Sequence, residues 1–255
     1  MTDSTEEAVL VERRARVMVI TLNRPEAMNA INGALSHGLL NAVQELDADD
    51  SLTAGVITGN GRGFCSGMDL KAFSRGEDIG PLATFIRSGC SKPLIAAVEG
   101  FAIAGGCEIA LACDLLVASK GAKIGIREVK VGLFAAGGGV FRLPARVGYA
   151  TAMEMALTGE PITAEVALDC GMLSELTEKG GALDAAIRLA ERIAENAPLA
   201  VAASKTLVRA AAQGIDEETL WKMQVPLQKK VFASDDAKEG PRAFAEKRAP
   251  IWTGS

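Results

Sequence analysis

Histidine and aromatic residues are scarce in this chain. Of its 255 residues one is His, one is Tyr, and Phe, Trp and Tyr together make up 4%. With a single imidazole, at His37, a Cys/His metal site is disfavoured. Basic residues are also in deficit, because 27 Lys and Arg face 32 Asp and Glu for a formal charge of −5. The basic footprint of a nucleic-acid-binding protein is therefore absent, although a local cluster of Lys and Arg could still bind an anionic ligand.

Cysteine pairs and targeting segments are missing as well. The five cysteines are an odd number and contain no CxxC pair, which favours free thiols in a reducing cytoplasm. The polar start MTDSTEEAVLVERR lacks the apolar region of a secretory signal. The apolar run 94–118 contains Glu99, Glu108 and Asp114, so it predicts buried core rather than a membrane span. We expect a cytoplasmic protein with no membrane or nucleic-acid partner.

Strand and helix patterns alternate along the first 140–150 residues. The β-branched stretch RVMVITLNRP predicts a strand that ends at a proline, and Leu35, Leu39, Val43 and Leu46 then share one helical face. Further strands are predicted in TAGVIT, KPLIAAVEGFA, LLVAS and AKIGI, with helices over 81–90 and CEIALACD. From Gly139 onwards the pattern is helical, and no Pro- or Ser-rich linker precedes it. The chain is predicted to be an α/β protein whose helical C-terminal part packs on the α/β core.

An acid stands within the most apolar part of the chain, in IAGGCEIALACD. A helix is predicted to begin near Gly105, where the first backbone N–H groups lack intrahelical partners and carry the positive end of the helix dipole. Such groups stabilise a carbonyl oxygen that becomes an oxyanion. Glu108 lies in this first turn. It is either a catalytic acid beside that oxyanion site or an ordinary complement to the helix dipole.

A second glycine-rich turn, GNGRGFCSGMDL, follows a predicted strand. It fails the GxGxxG dinucleotide fingerprint in both registers, because Phe64 or Ser66 occupies the third glycine position. It has the G-x-C-x-G spacing of a nucleophile elbow around Cys65. That chemistry needs a base, and His37 is predicted on a helix surface, so a small residue packed in a turn is the preferred interpretation.

A second acid, Glu128, follows the AKIGI strand and precedes a run of glycines. Glu108 and Glu128 could converge on one water molecule, one taking its proton while the other protonates carbon. The alternative is a surface glutamate beside Arg127 and Lys130.

Three motifs in order, GFCSGMDL, GFAIAGGCEIALACDLLVAS and IGIREVKVGL with its following glycines, resemble those of the crotonase (enoyl-CoA hydratase/isomerase) superfamily, in its hydratase-like branch. NRPEAMNAIN, AMEMALTGEPITAEVALDCGMLSEL and AFAEKRAP extend the resemblance over nearly the whole chain. The resemblance implies a spiral of ββα units over residues 1–195. It also implies a helical trimerisation region over 196–255, in a homotrimer or a dimer of trimers.

By this resemblance the enzyme hydrates a trans-2-enoyl-CoA thioester. The backbone N–H groups of Met68 and Gly105 would bind the thioester oxygen. Glu128 would protonate C2, and Glu108 would orient and deprotonate the water; the reverse assignment of the two acids stays open. A carboxylate beside a dry thioester pocket has a raised pKa, which accounts for an acid in an apolar stretch. No metal or redox cofactor is expected, because the thioester is the electron sink and coenzyme A is part of the substrate.

The resemblance also implies contacts to coenzyme A. Lys71, Arg24 and Lys247 are candidate partners of its phosphates, the last from a neighbouring subunit, although each could equally be a solvated surface cation. The backbone of Ala27 would line the groove, and Asp69 is expected to fix its own turn.

Departures from the family pattern put the acyl-chain preference in doubt. Ala136 replaces a glycine near the water site, Lys130 replaces an apolar residue, and Ile126 and Arg127 replace a polar residue and a proline. A sister reaction therefore stays open, either carnitinyl-CoA-type dehydration or double-bond isomerisation. A non-catalytic acyl-CoA-binding protein is a further alternative, which the presence of both acids disfavours. The naphthoate-synthase branch relies on an aspartate and a tyrosine, and Tyr149 is the only tyrosine in the chain.

Overall fold

A computed structural model describes residues 7–255. The strands in these residues are β1 (Val9–Arg14), β2 (Val17–Leu22), β3 (Ala54–Gly59), β4 (Leu94–Val98), β5 (Phe101–Ile103), β6 (Leu115–Ser119), β7 (Lys123–Gly125), β8 (Ile162–Thr163) and β9 (Glu175–Thr177). The helices are α1 (Gly33–Ala48), α2 (Leu70–Ser74), α3 (Gly80–Ser88), α4 (Gly105–Ala112), α5 (Gly139–Arg142), α6 (Pro144–Val147), α7 (Tyr149–Thr158), α8 (Ala164–Asp169), α9 (Ala182–Ala194), α10 (Pro198–Ala212), α11 (Glu217–Ala233) and α12 (Asp235–Glu246). Short 3-10 turns cover Pro25–Ala27 and Glu128–Val131.

Two sheets organise the chain. The larger has the order β1-β2-β3-β4-β6-β9, antiparallel between β1 and β2 and parallel elsewhere. The smaller has the order β5-β7-β8. Successive turns of the chain add one strand to the large sheet, one to the small sheet and then a helix, as in β4-β5-α4. The carboxyl ends of β4 and β6 therefore lead directly into the short strands and loops that carry Glu108 and Glu128.

The large sheet is buried on both faces. On one face Met18, Ile20 and Ile57 contact a cluster that includes Leu35 and Leu39 of α1. This is the apolar face that the sequence predicts for α1, and Asn32 caps the helix by accepting a hydrogen bond from the Leu35 N–H at 3.0 Å.

The opposite face of the large sheet packs on α9. Val17, Val56, Ile95 and Val117 belong to a cluster with the helix alanines Ala182, Ala185, Ala186 and Ala190, all of them buried. Small side chains let the helix approach the sheet closely. Oε1 of Glu99, at the end of β4, accepts a hydrogen bond from the Ala182 N–H at 3.0 Å and so fixes the start of the helix.

The structure corrects the expectation that strands stop near residue 140. β8 joins the small sheet, and β9 pairs with β6 at the edge of the large one. Each has only two or three residues, too few to show an alternating pattern. The single strand predicted in KPLIAAVEGFA is also divided into β4 and β5, because the chain bends at Gly100, which has a φ of 58°.

The last helices form a layer of their own. α10 packs against α11, and Nζ of Lys205 on α10 reaches Oδ2 of Asp114 at 2.7 Å, which ties this layer to the α4–β6 connection. In residues 7–255 no helix is both long enough and apolar enough to cross a membrane.

Candidate active site

The residue that precedes α4 has an unusual backbone conformation. Ala104, which precedes the helix, has φ 52° and ψ −125°, and its N–H donates to the Gly125 carbonyl at 2.8 Å. A side chain at such a φ costs of order 1–3 kcal/mol, and conformations of this kind cluster at functional sites. Here the conformation of Ala104 redirects the chain so that the helix starts with the N–H of Gly105, as the sequence predicts.

Met68 lies beside this helix start. Ile31 holds the chain on both sides of Met68, because its N–H donates to the Gly67 carbonyl at 2.7 Å and its carbonyl accepts from the Asp69 N–H at 2.9 Å. A Cβ built on Gly67 would lie 3.4 Å from the Gly105 nitrogen, and one built on Gly105 would lie 3.9 Å from the Met68 nitrogen. The two predicted oxyanion donors are thus neighbours, and within residues 7–255 neither donates its N–H to another group.

Glu108 is buried one turn into α4, with 6% of its surface exposed. Its Oε1 accepts a hydrogen bond from the Gly139 N–H at 3.0 Å. Burial raises the pKa of this carboxyl, hydrogen bonding by the Gly139 and Gly137 amides opposes that rise, and the charge of Glu128 adds to it. The charge of Glu128 is thus one of the influences on the Glu108 carboxyl.

The residues that seat Glu108 were not predicted. A Cβ on Gly137 would lie 2.6 Å from Oε2 of Glu108, and one on Gly139 would lie 3.2 Å from Oε1. A side chain at position 137 would therefore force the Glu108 carboxylate to move. The signal in the sequence is the run of three glycines from 137 to 139, which nothing local connects to position 108.

Glu128 begins the 3-10 turn that follows β7 and is partly buried. Burial raises the pKa of its carboxyl. Its Oε2 is buried and has no hydrogen-bond partner among residues 7–255. Such an oxygen costs free energy in a folded protein, and it is the kind of group that binds a reacting molecule.

Together these groups can perform one kind of chemistry. Paired backbone N–H groups stabilise negative charge on a carbonyl oxygen. Two carboxyls whose pKa values are raised by burial can serve as general acid and general base. A carbonyl compound whose neighbouring carbons gain or lose water or a proton is the substrate type that fits.

The candidate coenzyme A residues lie near Met68 with one exception. Nη2 of Arg24 is 3.2 Å from Oδ2 of Asp69, and its Nη1 donates to the Ala30 carbonyl, so Arg24 joins the N-terminal loop to the Asp69 turn. Asp69 caps α2 by accepting from the Lys71 and Ala72 N–H groups, each at 3.1 Å, which confirms its expected role in the turn. Lys71 is exposed on α2. Ala27 ends the 3-10 turn, and the next residue, Met28, accepts a hydrogen bond from the Ser66 N–H at 3.1 Å.

Lys247 is the exception. It is exposed and ends α12 with a φ of 55°, donating its N–H to the Phe244 carbonyl at 3.2 Å. The neighbours that position it belong to α12 and to the segment 248–255. Among residues 7–255, Lys247 forms no hydrogen bond or ion pair with Arg24, Ala27 or Lys71.

A cysteine nucleophile and a metal site find no support. Cys65 is completely buried, and burial raises the pKa of its thiol to about 12. His37 lies on the surface, with Nε2 3.3 Å from Oδ2 of Asp78. Over the span 7–255, no three His, Cys, Asp or Glu side chains come together as metal ligands.

Comparison with known proteins identifies the family and the fold. The sequence profile described as enoyl-CoA hydratase/isomerase matches residues 12–255. The chain belongs to this family. It is 42% identical over 252 residues to enoyl-CoA hydratase EchA19 of Mycobacterium tuberculosis, with 94% of each chain covered. It is 41% identical over 254 residues to the carnitinyl-CoA dehydratase of Proteus mirabilis, with 94% of this chain and 96% of that protein covered.

A crystal structure of an enoyl-CoA hydratase from Mycobacterium tuberculosis superimposes with a TM-score of 0.93. The two chains are 51% identical, and the match covers 98% of this chain and 100% of that one. The predicted fold class, a crotonase-like α/β spiral with a helical C-terminal region, is confirmed. The family resemblance stated from the motifs is confirmed as well.

Proposed function

We propose that this protein is an enoyl-CoA hydratase, a hydro-lyase that adds water reversibly to trans-2-enoyl-CoA to give the 3-hydroxyacyl-CoA. The observation that carries the proposal is the buried carboxyl of Glu108, influenced by Glu128 and lying one helical turn from the neighbouring N–H groups of Met68 and Gly105.

The thioester carbonyl is proposed to accept hydrogen bonds from Met68 and Gly105. As water adds to C3, the electron pair of the C2–C3 double bond moves toward this oxygen. Each N–H then faces an enolate-like charge that is larger than in the bound substrate. Removing one such donor typically costs about 3–4 kcal/mol of transition-state stabilisation.

The two glutamates are proposed to move the protons. Glu108 takes a proton from water as the oxygen bonds to C3, and Glu128 gives a proton to C2 on the same face. Proton exchange through solvent then restores both acids. Burial supports these roles because it raises the pKa of both carboxyls, and a general acid or base works best when its pKa is close to the working pH. The carbonyl is the electron sink, so the proposed step needs no cofactor.

Coenzyme A is proposed to lie along the surface formed by Ala27 and Lys71, with Arg24 supporting that surface through Asp69. A homotrimer or a dimer of trimers is also proposed. Large apolar side chains stay exposed on the C-terminal helices, and a neighbouring subunit would cover them and could supply Lys247; they are Val208, Trp221, Val225, Phe232 and Phe244. Five free cysteines support a cytoplasmic location.

Hydration of crotonyl-CoA tests the proposal, followed by the loss of absorbance of the conjugated thioester. Glu108→Gln and Glu128→Gln should each lower kcat by about 10²–10⁴-fold, the usual contribution of a general acid or base. A double variant that keeps the full rate would refute the mechanism. Asp78→Asn, which alters an exposed carboxylate on the surface near His37, is the control and should leave the rate unchanged.

Carnitinyl-CoA-type dehydration is the second candidate. It is favoured by the 41% identity to a carnitinyl-CoA dehydratase, almost equal to the identity to EchA19. The same acids and N–H groups would serve, with water leaving rather than adding. A panel of enoyl-CoA chain lengths that includes crotonobetainyl-CoA separates the two. The ratio of kcat/KM between these substrates assigns the activity.

A further inference from the structure

A half-buried arginine lies against the loop that seats Glu108. Arg142 ends α5, and its Nη2 donates to the Ile86 carbonyl on α3 at 2.5 Å. Its Nη1 is directed at the Gly137 carbonyl at 3.4 Å. One guanidinium thus spans from α3 to the glycine segment 137–139.

No surface ion pair explains this position. In the part of the chain from 7 to 255 no carboxylate lies within ion-pair distance of Arg142, although Arg13, Arg24 and Arg248 all have such partners. Burial lowers the pKa of Arg142, so the cation is held where its charge is costly. Two backbone carbonyls and the Phe141 ring offset the cost of burying this charge, and the ring centroid is 5.9 Å from Cζ of Arg142.

The carbonyl that Arg142 approaches and the N–H groups that bind Glu108 belong to the same three residues. Gly137 turns its carbonyl toward the guanidinium, and the amides of Gly137 and Gly139 act on the carboxylate. A shift of this segment would move the hydrogen-bond donors of Glu108 with it. Anchoring Gly137 to α3 therefore fixes where the carboxylate oxygens point.

We propose that Arg142 is a positioning residue for Glu108. Arg142 clamps the segment 137–139 to α3 and holds a positive charge behind the Glu108 carboxylate. This rests on the proposed function of Glu108 as the group that activates water. Arginine suits the task because its planar fork reaches two carbonyls from one rigid group, whereas a lysine offers a single flexible ammonium.

The charges around the two groups give the proposal a pH signature. The charged residues that act on Glu108 are Glu128 and Arg142, and those that act on Arg142 are Glu108, Arg146 and Arg209. Removing the cation of Arg142 leaves the like charge of Glu128, which disfavours the ionised form of Glu108, without a nearby positive charge to offset it. The pKa of Glu108 then rises, so its base form is reached only at a higher pH.

Arg146 provides a matched control. It lies one turn further along the chain, is also partly buried, and donates to two backbone carbonyls, those of Asp114 and Cys113, each at 3.1 Å. It acts on Arg142 but is not among the charges that shift Glu108. Arg146→Met therefore removes comparable structural bonds without touching the segment 137–139.

The experiment measures kcat/KM for crotonyl-CoA against pH in the whole enzyme carrying Arg142→Met, Arg142→Lys or Arg146→Met. Arg142→Met should lower kcat about 100-fold, as expected for a misplaced catalytic group, and change KM less than about threefold. The acid limb of its kcat/KM–pH profile should move to higher pH by about one unit. Arg142→Lys keeps the positive charge but lacks the planar guanidinium, so its acid limb should lie at the wild-type pH while its kcat stays below the wild-type value. Arg146→Met should lower Tm and leave the limb in place.

An acid limb that stays fixed in Arg142→Met with kcat/KM within threefold of wild type would overturn the proposal, as would an equal shift in Arg146→Met. If Arg142→Met does not fold, Arg142→Lys decides by its rate, and a rate equal to wild type overturns the clamp. Titration of ¹³C-labelled glutamate carboxyls by NMR, with Glu108→Gln for assignment, measures the Glu108 pKa directly. That titration tests Arg142 even if no enoyl-CoA is hydrated, in which case the proposed function alone fails.

Discussion

The backbone N–H of Gly139 donates to Oε1 of Glu108 across 3.0 Å, joining two residues 31 positions apart. This bond does two things at once. It orients the buried carboxylate, and it favours the charged form against a burial that disfavours it. Burial thus raises the proton affinity of Glu108, and a loop that carries no catalytic side chain of its own lowers it in part.

A methyl group on this loop should disable the acid without unfolding the protein. In Gly137→Ala the new Cβ would stand 2.6 Å from Oε2 of Glu108, so the carboxylate must move. We expect kcat/KM to fall about 100-fold, with a small change in Tm. The control is Gly240→Ala on α12, where a Cβ finds ordinary contact with Trp252 at 3.4 Å, and activity should be unchanged. Full activity in Gly137→Ala would show that the carboxylate is not held by this loop.

Neutralising Glu108 should stabilise the fold above acidic pH. Because its pKa is raised in the folded protein, stability declines as pH rises from the ordinary glutamate pKa of 4.5 through the folded value, and the penalty is complete above that value. Glu108→Gln should therefore melt higher than wild type at pH 8, with no gain below about pH 4. About 1 kcal/mol corresponds to about 2–4 °C in a chain of this size. Calorimetry at both pH values measures it, and a variant that melts lower at pH 8 contradicts it.

Gly67 should be needed for the oxyanion donors rather than for stability alone. It has a φ of 96°, and a Cβ there would stand 2.8 Å from the Cβ of Ala104 and push the segment around Met68 away from Gly105. Gly67→Ala should lose about 1–2 kcal/mol of stability from its backbone conformation and most of its kcat. Gly171→Ala has a similar φ of 78° with no atom within 4 Å, so it should lose comparable stability and keep its kcat. Equal kinetic losses in both variants would assign the effect to folding.

The two cations near Met68 should respond differently to removal. Lys71 is exposed, so Lys71→Ala should raise KM for the thioester by a modest factor that vanishes at high salt. Arg24 holds Asp69 and the Ala30 carbonyl, so Arg24→Ala should cost about 1–2 kcal/mol of stability in urea unfolding. A rise in KM without any loss of stability in Arg24→Ala would instead place its guanidinium on the coenzyme.

Acid should release the C-terminal segment 248–255. Glu239 accepts from Arg248 and Arg242 and from the Ile251 N–H at 2.9 Å, and the Arg248 hydrogen bond above all holds the pKa of this carboxyl well below its usual range. Its stabilisation is therefore present above pH 4.5 and is lost as pH falls toward the folded pKa.

The emission of Trp252, measured in a Trp221→Phe background, should shift to the red on acidification. In Glu239→Gln the shift should already be present at pH 7. Unchanged Trp252 emission in Glu239→Gln would mean that other contacts hold the segment.

Local patterns predicted the parts of the site that depend on neighbours in sequence. The start of α4 at Gly105 follows from a glycine turn before an apolar helix, and the buried acid in its first turn needs no distant residue to be noticed. The pairing of Gly105 with Met68 came from the family resemblance, because the segments that carry them meet through a bridge between Cys65 and Ala102. That bridge is a single residue long and leaves no periodic trace.

The parts that were not predicted depend on long-range hydrogen bonds. The seat of Glu108 lies in the segment 137–139, and Arg142 reaches Ile86 across 56 positions. Neither contact alters composition or spacing near either partner. The edge strand β9 was missed for a related reason, since three residues are too few to alternate, and its place beside β6 is decided by the sheet and not by its own sequence.

The alanine-rich helix α9 lies across β2, β3, β4 and β6, and its first N–H is held by Glu99. Those strands are translated long before the helix that covers them. A nascent chain that has not yet extruded residue 194 from the ribosome exposes one apolar side of its sheet to solvent. Folding of this protein is therefore completed late in synthesis, and protection by a chaperone is most needed while α9 is still inside the exit tunnel.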